Sequence, residues 1–492
     1  MERRDFLVST AMAAITMRVP PSGGTANAMP PRQPRRFNAT DYIREIARPT
    51  ASRASRRPPV TERRFVSEAV EKRLRDIKAK IADPELAWMF ENCYPNPLDT
   101  TVEFQITNGR PDTFVLTGDI PAMWPRDTMF QMLPYLALVP HDPHLRLMIH
   151  GVINRMVDCL LLSPYANAYC RNAQQPTPFA HDRTHMVPGV WEHKWELDTP
   201  CALIKMSYEY WKVTGDVSAF DARWRKAMEK IVSIFKEQQR LDGPGPYHFQ
   251  MFTTRATDTL PRSGYGFPAR PVGLIYTMFR ASDDAVIYPL HIPDNMFAAT
   301  VLRQLSEVYH AMDGESAQFL STLKFSQMLT NLARDLGTRR QNIFAYEIDG
   351  FGNAVFMDDA AWPGILSLPY LGACDRNDPT YQATRKIIWS AENPYFVKGK
   401  FESIGSVHVS GDNVWPLSLI MYGLTATDAR EVAWSLRSLK LGSAGTGFVH
   451  ESFHKNDPTR FTRPWFAWAN AMFGELVVQT AENYPHILAE KL

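Results

Sequence analysis

The chain has 492 residues, 45% hydrophobic and 12% aromatic, enough apolar matter to fill a large packed body. Its formal net charge of +2 is uneven: residues 1–64 hold 13 arginines, no lysine and five acids, which leaves residues 65–492 at −6 and argues against a nucleic-acid-binding face on the fold itself. Five cysteines without CxxC or CxxH spacing argue against a zinc site or a disulfide-stapled scaffold, and no apolar run is long enough to span a bilayer.

The first segment, "MERRDFLVSTAMAAITM", carries Arg3-Arg4, then Phe6-Leu7 and a short, moderately apolar stretch. "ANA" at Ala26 to Ala28 supplies the small residues a signal peptidase needs. Residues 1–28 therefore resemble a bacterial twin-arginine signal, an address read by the Tat export machinery and not a membrane anchor. The expectation is a periplasmic or secreted protein. Residues 29–64, rich in Arg, Pro and Ser, read as a linker with solvated arginines and a short helix around Asp41 to Ile46.

From Val66 helical periodicity dominates, first over "VSEAVEKRLRDIKAKIADPELAWMF". Further helices are predicted at about 127–139, 143–162, 200–213, 218–239, 294–312, 315–336, 360–371, 378–391, 427–440 and 465–480. Strand signals are short and local, as in "TVEFQI" and "FVLTG". No G-x-G-x-x-G follows a strand, and no short repeat points to a solenoid.

A pattern recurs at several helix starts: a polar cluster, then Asp or Thr, then an apolar helix. It stands in "WPRDTMF", "WELDTPCALI", "IPDNMFAA" and "MDDAAWPG". Asp127 can cap a helix starting at Thr128, and Pro200 suits a first helical position. A barrel of paired helices would point such starts at one cavity, so that clusters far apart in sequence meet in space.

The polar clusters contain what a sugar pocket uses: aromatic faces, planar groups that bind vicinal hydroxyls, and carboxyls for acid and base work. Candidate carboxylates are Asp119, Asp127, Glu192, Glu196, Asp198, Asp283, Asp284, Asp358, Asp359 and Glu451. Trp124, Trp191, Trp195, Trp415, Trp465 and Trp468 stand near them, with His193, His408, His450 and His454 interleaved. The Asp pairs at 283–284 and 358–359 could be helix caps or bind a divalent cation, but neither has the D-x-D-x-D-G loop or the ligand spacing of a known metal site, which argues against a metal. These residue types alone do not pick the acid from the base.

Nine segments in order, "NPLDTTV" (96–102), "TGDIPAMWPRD" (117–127), "WELDTPC" (195–201), "FRASDDA" (279–285), "IPDNMFA" (292–298), "YEIDGFGN" (346–353), "MDDAAWPGILSLPYLG" (357–372), "VWPLSLIMYGLT" (414–425) and "HESFHKNDPTRFTRPWFAWANAMFGEL" (450–476), resemble glycoside hydrolase family 125, the metal-independent exo-α-1,6-mannosidases. The resemblance implies an all-α (α/α)6 barrel over residues 65–492 with short β segments in its loops. It further implies hydrolysis of terminal α-1,6-linked mannose in a glycan, with inversion and with no metal or cofactor. It maps the general acid to Asp198 and the general base to Glu451, with Trp124, Arg126, Asp127, Asp283, Asp284, Asp358 and His408 around the sugar.

Pro125, Ala281, Ala361-Trp362 and the stretch around Val407 depart from the family's usual residues, which bears on substrate preference more than on the two carboxyls. Another helical-barrel glycosidase or phosphorylase, or a non-catalytic glycan-binding protein, is the alternative; a pure binder has no need of a paired acid and base. Asp198 also poses a conflict. A helix start lowers a carboxyl's pKa, whereas an acid needs it raised, so burial beside Trp195 or repulsion from Glu196 must win.

Overall fold

The computed structural model describes residues 37–339 and 342–492, so the expected export signal and residues 29–36 lie outside the described part. The described chain opens with the helix Ala39–Ile46, where Asn38 Oδ1 accepts the backbone N–H groups of Thr40 and Asp41. Tyr42 and Ile46 are buried.

The stretch read as a solvated tether is instead docked on the body from residue 37 onward. Arg56 donates to the carbonyls of Arg48 and Thr446, both at 2.8 Å, and Trp88 Nε1 donates to Ala54 O at 2.7 Å. Arg57 bonds Asp99 at 2.7 Å and also pairs with Glu71. A guanidinium has five donors, and here carbonyls and carboxylates of the body take them up. Composition alone does not reveal those partners, because they lie up to 390 residues away.

The body is a closed ring of inner helices with outer helices packed around it. The inner ring runs Pro125–Met132, Asp198–Thr214, Ile292–Asp313, Leu368–Leu371 with its leading turn Ile365–Ser367, Pro416–Leu424 and Ala467–Asn483. Each packs on the next, and the last packs on the first. Outside lie Pro143–Leu162, Ala222–Glu237, Ala317–Gly337, Pro379–Ile388, Ala429–Gly442 and Pro84–Cys93.

Sequence pattern follows this layering. An outer helix such as Ala222–Glu237 buries Trp224, Ala227, Met228, Ile231, Ile234 and Phe235, a stripe at three- and four-residue spacing. Inner helices are contacted all round: Pro125–Met132 is buried at every position, and Pro416–Leu424 at all but Tyr422. The latter has no polar face and hence no helical period, which is why periodicity does not predict it.

Proline marks the first turn of Pro125–Met132, Ile292–Asp313 and Pro416–Leu424, where a missing N–H costs no hydrogen bond. Trp124 holds the cap position, so Asp127 sits inside the first turn and is not the cap. Asp198 likewise opens its helix, two residues before Pro200. The long stretch after Val66 divides into Glu68–Lys78 and Pro84–Cys93, the second capped by Asp83.

The strands are short, as expected. Val102–Thr107 and Arg110–Val115 form a hairpin turning at Asn108-Gly109, both at positive φ (53° and 79°), the conformation that favours this dipeptide. A three-stranded sheet of Asn413–Val414, Ser452–His454 and Asp457–Thr462 brackets the site, with Glu451 just before its central strand and Arg463 just after its last.

Candidate active site

The loops leading into the inner helices converge on one cavity. Its walls are Thr117, Ile120, Trp124, Arg126 and Asp127 from the first; Ser282 and Asp283 from the loop before Ile292–Asp313; His408 and Trp415; and Glu451, Arg463, Phe466 and Trp468. Three carboxyls and two guanidinium groups therefore share a space walled by tryptophan faces.

Asp283 stands on a tight loop closed by the Phe279–Ala285 bridge and by bonds of 2.8 Å from Arg280 N to Asp284 O and 2.9 Å from Asp283 N to Arg280 O. Its φ is 65°, a left-handed conformation that Asp tolerates better than most residues and that turns up at functional sites. Buried Lys194 donates to its carbonyl oxygen, anchoring the loop from below. Beside it His408 stacks on Trp415, ring centroids 5.5 Å apart, and its Nδ1 lies 3.5 Å from Asp284.

Glu451 is held differently. Thr462 donates to its Oε2 at 2.8 Å, and Arg463 Nη1 lies 3.4 Å from its Oε1. Arg463 also bonds Asp119, at 2.9 Å through Nε and 2.6 Å through Nη2. That guanidinium joins the sheet beside Glu451 to the loop before Pro125–Met132.

Arg126 is the hub of the floor. It pairs with Glu196, and lies 3.2 Å from Asp198, 3.4 Å from Asp283 and 3.6 Å from Asp127, while its guanidinium sits 5.8 Å from the Trp468 ring centre. One guanidinium faces four carboxyls, three of them buried, which favours retained protons on the buried ones. Burial raises Asp127 to about 6 and Asp198 to about 7, against the pull of Arg126. Burial also lifts Glu196 well above the usual carboxylate range. Asp283 goes the other way: burial opposes its ionisation, but Arg126 and Lys194 outweigh it and hold it low.

The expected site residues divide accordingly. Trp124, Arg126, Asp127, Asp283, His408 and Glu451 line the cavity. Asp198 does not: its side chain is 1% exposed, it lies beneath Arg126, and its Oδ1 finds no hydrogen-bond partner among the described residues. Its pKa is raised, as an acid requires, with burial outweighing the pull of Arg126. A general acid needs reach of the leaving oxygen as well as a raised pKa, and Asp198 is absent from the cavity lining.

Asp284 lies behind the wall, holding His408 and 3.6 Å from Arg255. Asp358 caps the turn Ile365–Ser367, accepting from Ile365 N at 2.9 Å and Leu366 N at 2.8 Å. Both are supports for the pocket and not part of its lining. Sequence reasoning missed Arg463 and Asn167. Arg463 had a signal, since "RPWFAW" repeats the Arg-Pro-Trp composition of "MWPRD" before another inner helix. Asn167 lies in an unremarkable loop and had none. Among the described residues no group of three or more His, Cys, Asp or Glu side chains is arranged to hold a metal ion.

A closed ring of inner helices with carboxyls, guanidinium groups and tryptophan faces gathered at one cavity defines a carbohydrate-active helical barrel. The profile of the metal-independent α-mannosidases, glycoside hydrolase family 125, matches residues 83–478, and the chain belongs to that family. It is 39% identical over 456 residues to the meiotically up-regulated gene 157 protein of Schizosaccharomyces pombe, covering 88% of this chain and 89% of the relative. Among solved structures it is similar to a metal-independent α-mannosidase of Streptococcus pneumoniae in a non-productive complex with α-1,6-mannobiose. That match has a TM-score of 0.80 and 38% identity, and covers 85% of this chain and 100% of the other. The barrel is thus of the (α/α)6 type. A family 78 rhamnosidase from a Bacillus species shares the fold alone, with TM-score 0.50 and 12% identity over 82% of this chain and 35% of its own.

Proposed function

We propose that this α-mannosidase is exo-acting and releases terminal α-1,6-linked mannose with inversion at the anomeric carbon. The observation that carries the reading is the pairing of Asp283 and Glu451 in one cavity on separate elements, each beside its own cation, Arg126 and Arg463. Asp127 lies within electrostatic reach of both Asp283 and Arg463. In this reading Asp283, not Asp198, protonates the leaving oxygen. Glu451, oriented by Thr462, draws a proton from the water that attacks the opposite face of the sugar.

Arg126, Asp127 and Arg463 are suited to bind vicinal hydroxyls, and Trp124 and Trp468 to pack on the apolar face of the ring. Arg126, backed by Glu196 and Asp198, stands at the floor, which supports binding of a chain end. The α-1,6 linkage is favoured by the mannobiose found in the pneumococcal relative.

The test is incubation with α-1,6-mannobiose, following the first-formed anomer by proton NMR. β-Mannose appearing first supports inversion; α-mannose first overturns it, and absence of free mannose overturns the substrate assignment. The export reading of residues 1–28 rests on Arg3-Arg4 and the Ala26–Ala28 stretch. In a host with twin-arginine export, replacing both arginines by lysine is expected to leave the protein in the cytoplasm; unchanged export removes the proposal.

A further inference from the structure

Behind Asp283 lies a carboxyl that the mechanism above leaves unused. Glu196 has no exposure and does not line the cavity. The same two donors hold it and Asp283. Arg126 donates to Glu196 Oε2 through Nη1 and to Asp283 Oδ1 through Nη2, the latter at 3.4 Å. Asn167 Nδ2 lies 2.9 Å from Glu196 Oε1 and 3.5 Å from Asp283 Oδ1. The two carboxyls thus stand side by side on the same two donors, where the charge of one favours a proton on the other.

We propose that Glu196 is the proton-holding partner of Asp283, so that the general acid is a two-carboxyl unit whose buried member stores the proton and whose exposed member delivers it. This rests on the reading of Asp283 as the group facing the leaving oxygen. In the resting site the proton lies on Glu196, which burial lifts, while Asp283 remains ionised beside Arg126 and Lys194.

As the glycosidic C–O bond breaks, the proton moves from Glu196 to Asp283 and on to the leaving oxygen, while Glu451 takes a proton from the attacking water. Glu196 is left as a carboxylate facing Arg126. Proton exchange with solvent through Asp283, whose side chain is 26% exposed, recharges the pair, and Glu451 releases its proton.

The charged neighbours favour this division. Glu196 faces Arg126 from one inner helix, Asp198 from the start of the next and Asp283 from the loop; Asn167 also bonds Glu192, and Tyr247 lies close by. Asp283 faces Arg126, Lys194 and His408. Removing the last proton would leave two adjacent anions, one of them fully buried, so the unit keeps its acid form to higher pH than Asp283 could alone.

The experiment compares Glu196→Gln with wild type on α-1,6-mannobiose and on α-mannosyl fluoride, whose leaving group needs no acid. Gln preserves size and hydrogen bonding but stores no transferable proton. Expected is a fall in kcat/KM on mannobiose of about 100-fold at pH 7, in the range general acids contribute. The basic limb of its pH profile should move at least about one unit lower, with fluoride turnover within about threefold. An unmoved limb, or equal losses on both substrates, overturns the proposal.

Glu196→Asp keeps a proton at the site; it is expected to hold the limb in place and covers the case in which the Gln variant does not fold. A folded Asp variant that loses both substrates alike also overturns it. Failure of the underlying reading is separately visible: Asp283→Asn that still cleaves mannobiose removes Asp283 as the acid, whatever Glu196 does.

Discussion

Arg463 grips Asp119 at 2.6 Å and stands 3.4 Å from Glu451, so a single guanidinium fixes the proposed base against the loop that leads into Pro125–Met132. A lysine offers one point charge where Arg offers a planar fork, and cannot hold both carboxylates in this geometry. Arg463→Lys is expected to fold normally and lose about 10- to 100-fold in kcat, the range for a misplaced catalytic group. Steady-state kinetics on α-1,6-mannobiose with a melting curve checks this. Unchanged kcat would mean that Arg463 is not needed to orient Glu451.

Glu451→Ala removes the proposed base and opens space on its side of the cavity. Turnover on mannobiose is expected to fall by about 100- to 10,000-fold. Azide, a nucleophile that needs no deprotonation, should restore turnover of an activated α-mannoside and yield a β-mannosyl azide. An α-configured azide, or a variant as active as wild type, would place the base elsewhere.

Much of this fold was legible in the chain because the grammar of helix starts is local: a polar cluster, a proline or capping residue, then an apolar run. What escaped had physical reasons. Pro416–Leu424 lacks a period because neighbours surround it. The choice between Asp198 and Asp283 depends on Arg126 coming between one of them and the cavity. Both aspartates sit in polar clusters at helix-leading segments, and nothing in "WELDT" or "FRASDDA" tells which carboxyl ends up under a guanidinium.

The docked stretch 37–64 gives a stability prediction that a tether would not. Arg57 is 5% exposed and satisfies Asp99, itself 2% exposed, together with Glu71. Breaking a buried pair by removing one partner leaves an uncompensated charge, at a cost of about 3–5 kcal/mol. Arg57→Ala is therefore expected to lower the melting temperature by several degrees while leaving KM unchanged, since the residue is absent from the cavity lining. A melting temperature equal to wild type would restore the linker reading.

Asp198 separates support from chemistry. Its pKa is raised from 3.8 to about 7 by burial, so the folded protein keeps a proton that the unfolded chain loses across that window. The folded state binds more protons there, and stability must fall as pH rises from about 4 to 7, levelling off above. Asn cannot ionise and escapes this penalty. Asp198→Asn is expected to flatten the loss, gaining up to about 4 kcal/mol relative to wild type between pH 4 and pH 8. Because Arg126 lies between this carboxyl and the cavity, mannobiose hydrolysis should stay within about tenfold of wild type, well short of the loss expected on removing a general acid. Melting temperatures at pH 4.5 and 8 together with kcat/KM decide the matter. A normally folded variant with no activity on mannobiose but full activity on the fluoride would return the acid role to Asp198 and leave Asp283 as its pocket-side partner.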